Sequence, residues 1–301
     1  FGLFTLFSNP SYVSKRYSYI PSKLKEINAD IIAIQECYTL FHSNYIINSL
    51  SDIYPYHIRY NNDNSYLTPW KFHNGLLFLS KYPIISSHIE RLNKAASLEM
   101  WMANKSNLVI TVSIPSLGSI TLVNTHTTAG GATHPEHPGV DSDREDELRQ
   151  AVNSLKIVDN YCGGIIIGDL NCGPEASAAN YEFLVKENNF RDTYLEAEEN
   201  NRLLPGPKYS WDPENYLNQI GPHADCPGQR CDHILLQRGY DLDNWVVESA
   251  QLVFSERFID IGKDNILSTL SDHHGVVVTL TKSSHAQHLQ SNQFNSLQEK
   301  K

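Results

Sequence analysis

Five apolar runs in this chain end or begin on side chains for which a hydrophobic core has no use. That arrangement constrains the fold more than any other feature. Ile31-Ile32-Ala33-Ile34 runs into Gln35-Glu36, Leu122-Val123 into Asn124-Thr125-His126, and Gly164-Ile165-Ile166-Ile167-Gly168 into Asp169-Leu170-Asn171. Cys231-Asp232-His233 stands before Ile234-Leu235-Leu236, and Ser271-Asp272-His273-His274 before Gly275-Val276-Val277-Val278. Short apolar runs bounded by polar residues read as buried strands. Burying a carboxylate or an imidazole is costly unless it is paired. One loop Asp after a strand is an ordinary turn former. A repeated pattern on strands of one sheet system instead brings acids, imidazoles and amides to a common cleft.

Further strands are expected at 76–79 and 108–112, and helices at 17–27, 144–158 and 181–188. The first has Pro21 near its start. The second carries Leu148, Val152, Leu155 and Val158 at helical spacing behind an acidic first turn. Strands outnumber helices and several adjoin through short connections, which predicts a sheet-rich α/β domain rather than strict βαβ alternation. Polar segments at 61–73, 127–143 and 203–230 are expected to be loops around the site. Residues 1–282 read as one domain and 283–301, rich in Gln, Asn and Ser, as a disordered polar tail.

Composition narrows the chemistry. The 301 residues carry 24 Lys and Arg against 34 Asp and Glu, a formal charge of −10. A protein held to nucleic acid by diffuse attraction is usually basic, so a generic polyanion binder is disfavoured. An enzyme that bridges its own acids to phosphate through cations is not. No run approaches the roughly 20 apolar residues of a membrane span. The five cysteines, Cys37, Cys162, Cys172, Cys226 and Cys231, form no CxxC pairs, which argues against a structural zinc site. Cys226 and Cys231 flank a Pro-Gly turn; they are either a disulfide of an oxidising compartment or two ordinary thiols. Asn104-Lys105-Ser106 has the form of a glycosylation triplet. At the junctions, an oxygen-rich donor set beginning with Glu36 suits Mg²⁺, which keeps much of its water and shares itself with substrate phosphate. His126 and His273 are placed to act on phosphate, and an Asp bonded to one of them would fix its tautomer and raise its basicity.

In order along the chain, Ala29-Asp30-Ile31-Ile32-Ala33-Ile34-Gln35-Glu36, Asn74-Gly75-Leu76-Leu77-Phe78-Leu79-Ser80-Lys81-Tyr82-Pro83-Ile84, Asn124-Thr125-His126, Gly168-Asp169-Leu170-Asn171, Asp232-His233-Ile234-Leu235 and Ser271-Asp272-His273 resemble the metal-dependent endonuclease/exonuclease/phosphatase superfamily. The resemblance implies a DNase I-like four-layer α/β sandwich, two facing mixed β-sheets flanked by α-helices. It assigns Mg²⁺ binding to Glu36, with Asp272 beside the metal-bound water. His273 takes the role of the base that activates water, with Asp232 orienting it. Asp169 and Asn171 position the nucleophile, and His126 hydrogen-bonds a phosphate oxygen. The family also carries an Asn, in a Tyr-Asn or His-Asn pair, shortly before a segment like Phe1-Gly2-Leu3-Phe4; that ligand is expected upstream of residue 1. His134, His137 and His274 are read as bystanders.

Within the superfamily the sequence is most similar to neutral sphingomyelinases. Met100-Trp101-Met102-Ala103-Asn104-Lys105-Ser106 resembles their Asn-Lys-Gly or Ser-Lys-Gly element and offers a Trp-Met cluster to a lipid interface, or else a plain apolar patch beside a solvated lysine. The resemblance makes Lys105 and Asn74 substrate contacts. Tyr209-Ser210-Trp211-Asp212-Pro213-Glu214-Asn215 matches a Trp-Asp element of lipid-directed hydrolases, or is a turn anchored by a buried Trp. A phospholipid at a membrane surface is the partner this implies, in a secreted or membrane-peripheral setting rather than the nucleus, with nucleic acid disfavoured. The alternatives are an inositol polyphosphate 5-phosphatase, a DNase-like endonuclease and a non-catalytic binding domain. Against the 5-phosphatase, His233 replaces the Arg of its Cys-Asp-Arg-Ile-Leu element, and Pro227-Gly228-Gln229-Arg230 replaces its Pro-Ala-Trp pattern.

Overall fold

In the computed structural model, residues 12–59, 74–94, 104–115, 117–130, 139–157, 163–221, 223–262 and 265–283 are described. The stretch from Met100 to Met102, His134, His137, Cys162 and the tail beyond 283 lie outside them, as do residues 61–73.

The strand expectations rest on short continuous apolar runs, and the structure shows why both faces of such a strand are apolar. Successive side chains of a strand point to opposite faces. In β1 (Ile31–Ile34), Ile32 and Ile34 pack under α1 (Val13–Ile27) and α2 (Leu40–Leu50), together with Ile20, Leu24, Ile46 and Leu50. Ile31 and Ala33 point the other way, into a second cluster with Phe78, Leu108, Ile110, Leu122, Ile165 and Leu236. On the far side Val109, Val123, Ile166 and Leu235 turn outward onto Leu148, Ala151, Val152 and Leu155 of the helix Val140–Ser154 and its 3₁₀ extension Leu155–Ile157. Helices, sheet, sheet and helices therefore stack in four layers, the inner strand faces sharing one apolar cluster and the outer faces of the central strands packing under helices.

One sheet has six strands in the order β4 (Ile84–Arg91), β5 (Ser106–Ile114), β6 (Gly118–His126), β7 (Gly164–Asp169), β9 (Asp232–Gln237) and β8 (Phe190–Asp192). It is mixed, because β6 and β7 run parallel while β7 and β9 run antiparallel. The opposing layer consists of antiparallel pieces: β1, β3 (Leu77–Ser80) and β2 (Tyr56–Arg59) in one, β10 (Trp245–Val253) and β13 (Gly275–Lys282) in another. Between β10 and β13 in the chain, β11 (Ile259–Asp260) and β12 (Leu267–Ser268) form a short antiparallel pair of their own. A cavity of about 260 Å³ lies between the layers, lined by β1 and the start of β13 and opening at the polar strand ends.

Two helical expectations need adjustment. The first helix starts at Val13, so Pro21 sits within it rather than near its start; its ring is buried on the helix's core face, where packing offsets the missing N–H. Residues 181–188 are not one α-helix but the end of a short helix, Ala178–Glu182, continued as a π-turn over Phe183–Glu187. No helix among the described residues is long and apolar enough to cross a membrane.

Candidate active site

Strand direction brings the polar junctions together. β6 and β7 run parallel and end side by side, with His126 in register with Asp169. β9 runs against β7, so it begins where β7 ends, with Asp232 opposite Asp169. Three functional positions thus lie in one row across three strands. Gly168 permits this closeness: a Cβ there would stand 1.8 Å from the Thr125 carbonyl oxygen of β6. From the opposing layer, Glu36 after β1 and Asp272-His273 before β13 line the same cavity as Asp169 and Asp232.

His273 Nδ1 lies 2.8 Å from Asp232 Oδ2. Its Nε2 faces Asp169 Oδ2 at 3.9 Å, and His126 Nε2 lies 3.5 Å from that same oxygen. Burial alone would lower the His273 pKa, but Asp232, Cys231 and Asp169 override it and raise it well above the ordinary imidazole value. Asp232 is buried too, which would raise its pKa, yet the imidazole of His273 and the Ser210 hydroxyl hold it low. Asp169 moves the other way: burial and the nearby Asp232 charge raise it, against the pull of His273 and His126. Two close carboxylates with opposite displacements, around one strongly basic imidazole, are an acid–base arrangement rather than a structural ion pair.

Asn171 adopts a left-handed conformation (φ 47°), its N–H donating to Asp169 Oδ1 at 2.9 Å and its side-chain amide to the Thr127 carbonyl at 3.0 Å. Lys105 reaches that same carbonyl at 2.7 Å. It is therefore a buried ammonium beside Asn171, not the solvated surface lysine of the simpler sequence reading. Asn74 is buried and donates to Ser106 Oγ at 2.7 Å while accepting from Leu76 N–H at 3.1 Å, so its amide is engaged within the protein. Asn124 likewise staples the layers, accepting from Gln35 and donating to the Ile34 and Leu77 carbonyls. His274 is buried against the Tyr209 carbonyl rather than on the solvent side. Cys226 and Cys231 are free thiols that pack with Trp211.

The His273 loop is held by residues that no strand-end pattern marks. Asn215 Nδ2 donates to the Ser271 and Asp272 carbonyls at 2.9 and 3.1 Å, and Asn218 Nδ2 to the Asp272 carbonyl at 3.0 Å. Asn215 also caps the short helix Tyr216–Gln219 by accepting from Leu217 N–H. Ser210 accepts from the N–H groups of Cys231 and Asp232, and Trp211 pairs with His273. The Trp-Asp element is thus a clamp that places the base against its partner. The only sequence signal was an Asn ahead of a short helical stretch. Replacing Asn215 by Ala removes two donors from buried carbonyls and should lower stability by about 1–3 kcal/mol in urea unfolding. Asn215→Asp keeps the cap but cannot donate, and should lose a comparable amount; an unchanged midpoint in both variants would show that the loop stands without the clamp.

Residues 5–273 match the Endonuclease/Exonuclease/phosphatase family. No curated protein sequence matches the chain. Among solved structures, a mutant β-toxin from Staphylococcus aureus with bound magnesium ions superposes with a TM-score of 0.70 at 16% identity, over 91% of this chain and 94% of that one. Sphingomyelinase C from Streptomyces griseocarneus gives a TM-score of 0.68 at 20% identity, over 93% and 95%. TDP2 of D. rerio, complexed with a single-strand DNA product, gives 0.66 at 16% identity, over 90% and 93%. At these identities the likeness shows a shared fold. Together with the family match over nearly the whole chain, it establishes that this protein belongs to the endonuclease/exonuclease/phosphatase family, whose members are generally hydrolases of phosphoester bonds and use divalent metal.

Proposed function

We propose that this protein is a Mg²⁺-dependent phosphodiesterase that hydrolyses a phospholipid headgroup at a membrane surface, converting sphingomyelin to ceramide and phosphocholine, with residues 1–282 as one catalytic domain. The observation that carries the reading is the hydrogen-bonded His273–Asp232 pair facing Asp169 in one cavity, with His126 on the same Asp169 oxygen.

Glu36 and Asp272 line that cavity and feel each other's charge. Two carboxylates are the oxygen donors a hard ion prefers, so this donor set fits Mg²⁺. They would hold the ion, which when bound supplies positive charge where negative charge grows on phosphate oxygen. The chain's own groups account for the proton. Asp232 engages Nδ1 of His273 and leaves Nε2 as the atom that takes a proton from an attacking water. The imidazolium so formed is stabilised by Asp232 and Asp169. His126 donates to a phosphate oxygen, and Asn171 with Asp169 orients the attacking water. Lys105, behind Asn171, adds positive charge at the phosphate side.

The choice of a lipid over a nucleic acid is supported by the net charge of −10 and by the sphingomyelinases among the structural neighbours. The neighbour bound to single-strand DNA supports the rival nuclease reading. A panel of sphingomyelin vesicles, lysophosphatidylcholine, phosphoinositides and plasmid DNA, each with Mg²⁺ or with EDTA, separates them. The expected result is phosphocholine release from sphingomyelin with Mg²⁺, abolished by EDTA and restored by added Mg²⁺. Nicking of DNA without phosphocholine release would replace the lipid reading, and release of inorganic phosphate from phosphoinositides would replace it with the 5-phosphatase.

A further inference from the structure

Cys231 has no part in the hydrolytic mechanism, yet its thiol is buried against the base. Its Sγ lies 3.6 Å from Asp232 Oδ2, 3.8 Å from His273 Nδ1 and 3.7 Å from Ser210 Oγ. One ligand atom each from Asp169, Cys231, Asp232 and His273 all fall within 4.8 Å of one another. Zinc bonds of about 2.0–2.1 Å to nitrogen and oxygen and about 2.3 Å to sulfur put tetrahedral donors roughly 3.3–3.8 Å apart. The two sulfur spacings already meet that geometry. The His273–Asp232 pair, drawn together at 2.8 Å by its hydrogen bond, must open, and the Asp169 carboxylate, which faces the ring's Nε2 at 3.9 Å, must turn toward the Nδ1 side.

The chemistry of the donors separates this cluster from the one assigned to Mg²⁺. Glu36 and Asp272 offer oxygen alone, whereas Cys231 and His273 add sulfur and nitrogen, the soft and borderline donors that select zinc over magnesium. We infer that Cys231, Asp232, His273 and Asp169 form a second, inhibitory metal site for Zn²⁺ or a similar thiophilic divalent ion, set within the catalytic cavity. On binding, the thiol proton and the Nδ1 proton of His273 are released to solvent and replaced by metal–sulfur and metal–nitrogen bonds, with no change of oxidation state. The ion then occupies the carboxylate and the ring nitrogen that hold the base in position, and turnover stops. That inhibition rests on His273 being the base; the existence of the site does not.

The full-length chain, held in excess Mg²⁺, is titrated with Co²⁺ as a spectroscopic probe and then with Zn²⁺. Wild type should bind one Co²⁺ with a near-ultraviolet sulfur-to-cobalt charge-transfer band and a tetrahedral visible spectrum, both displaced by Zn²⁺. Cys231→Ser should lose the band and weaken Zn²⁺ binding by at least the roughly 10–100-fold that loss of even an outer-shell partner costs. Cys226→Ser, which alters the other thiol packed on Trp211, should keep both. Absence of the band in wild type, or its persistence in Cys231→Ser, would overturn the site whether or not any substrate has been found. With a substrate identified, Zn²⁺ should suppress turnover of wild type and Cys226→Ser alike. Full turnover by zinc-loaded wild type, once its cobalt form has shown the band and Zn²⁺ has displaced it, would keep the metal site and reject its inhibitory role.

Discussion

His273→Ala is expected to lower the rate of phosphodiester hydrolysis by about 10²–10⁴, the usual contribution of a positioned general base, while the protein stays folded. The side chain lines the cavity and is partly exposed, and its loop is fixed through main-chain carbonyls held by Asn215 and Asn218 rather than through the imidazole. A protein that still unfolds cooperatively but has a collapsed rate would identify the base, and an unchanged rate would remove it. Asp232→Asn tests the pair more finely. In wild type the free imidazole appears only as pH rises through the raised His273 pKa, so activity at fixed Mg²⁺ climbs with pH through that value. Asp232 heads the groups that hold the pKa up, so its neutral replacement lets the pKa fall. The ascending limb then moves to lower pH, and a weaker base gives a lower plateau. A limb that stays in place would mean that the titrating group is not His273.

Which parts of this site could be read from sequence follows from how each residue is specified. Glu36, His126, Asp169, Asp232 and His273 sit at ends of apolar strands, and an ionisable group placed there breaks a hydrophobic pattern visibly. Their convergence follows from strand directions, which topology sets: β9 must run against β7 for Asp232 to lie beside Asp169. Asn215 and Asn218 left no such mark. They belong to a polar loop in which any Asn looks like a turn former, and their partners lie more than 50 residues away. The strand Ile84–Arg91 was missed because it is an edge strand, half exposed, with no clean alternation. The helix Leu40–Leu50 was missed although Thr39 caps it, since three of its six apolar residues, Leu40, Phe41 and Tyr45, face outward and blur the helical period. Cysteine spacing carried no information on pairing: the thiols of Cys226 and Cys231 share a cluster around Trp211, and both are free.

His233, the residue that departs from the 5-phosphatase pattern, supports the fold. Its Nε2 faces the Cys172 and Arg230 carbonyls, both at 2.9 Å, and its Nδ1 faces Asp192 Oδ2 at 3.3 Å. Every neighbour is an acceptor, which favours a proton on both ring nitrogens, with Asp192 as the counterion of the imidazolium. Both side chains are 2% exposed. Asp192 also accepts the Tyr181 hydroxyl at 2.8 Å and caps the helix Thr193–Glu199 through Tyr194 and Leu195 N–H. Burial opposes its charge, but His233 and Tyr181 hold its pKa at about 2, below the usual 3.8. Burial likewise opposes the charge on His233, and Asp192 raises it above 6.5. The signs define a window. The Asp192 contribution is present above 3.8 and is lost as pH falls toward about 2. The His233 contribution is complete below 6.5 and is lost as pH rises through its raised folded value. Asp192→Ala leaves a buried imidazolium without a partner and is expected to cost about 3–5 kcal/mol, read as a lower urea midpoint at pH 5–6. Asp192→Ala/His233→Leu removes both charges and should recover part of that loss, a coupling a double-mutant cycle measures directly. A single-variant shift below about 1 kcal/mol, the range of exposed ion pairs, would mean that His233 is neutral and that β9 is held in register by its backbone ladder alone.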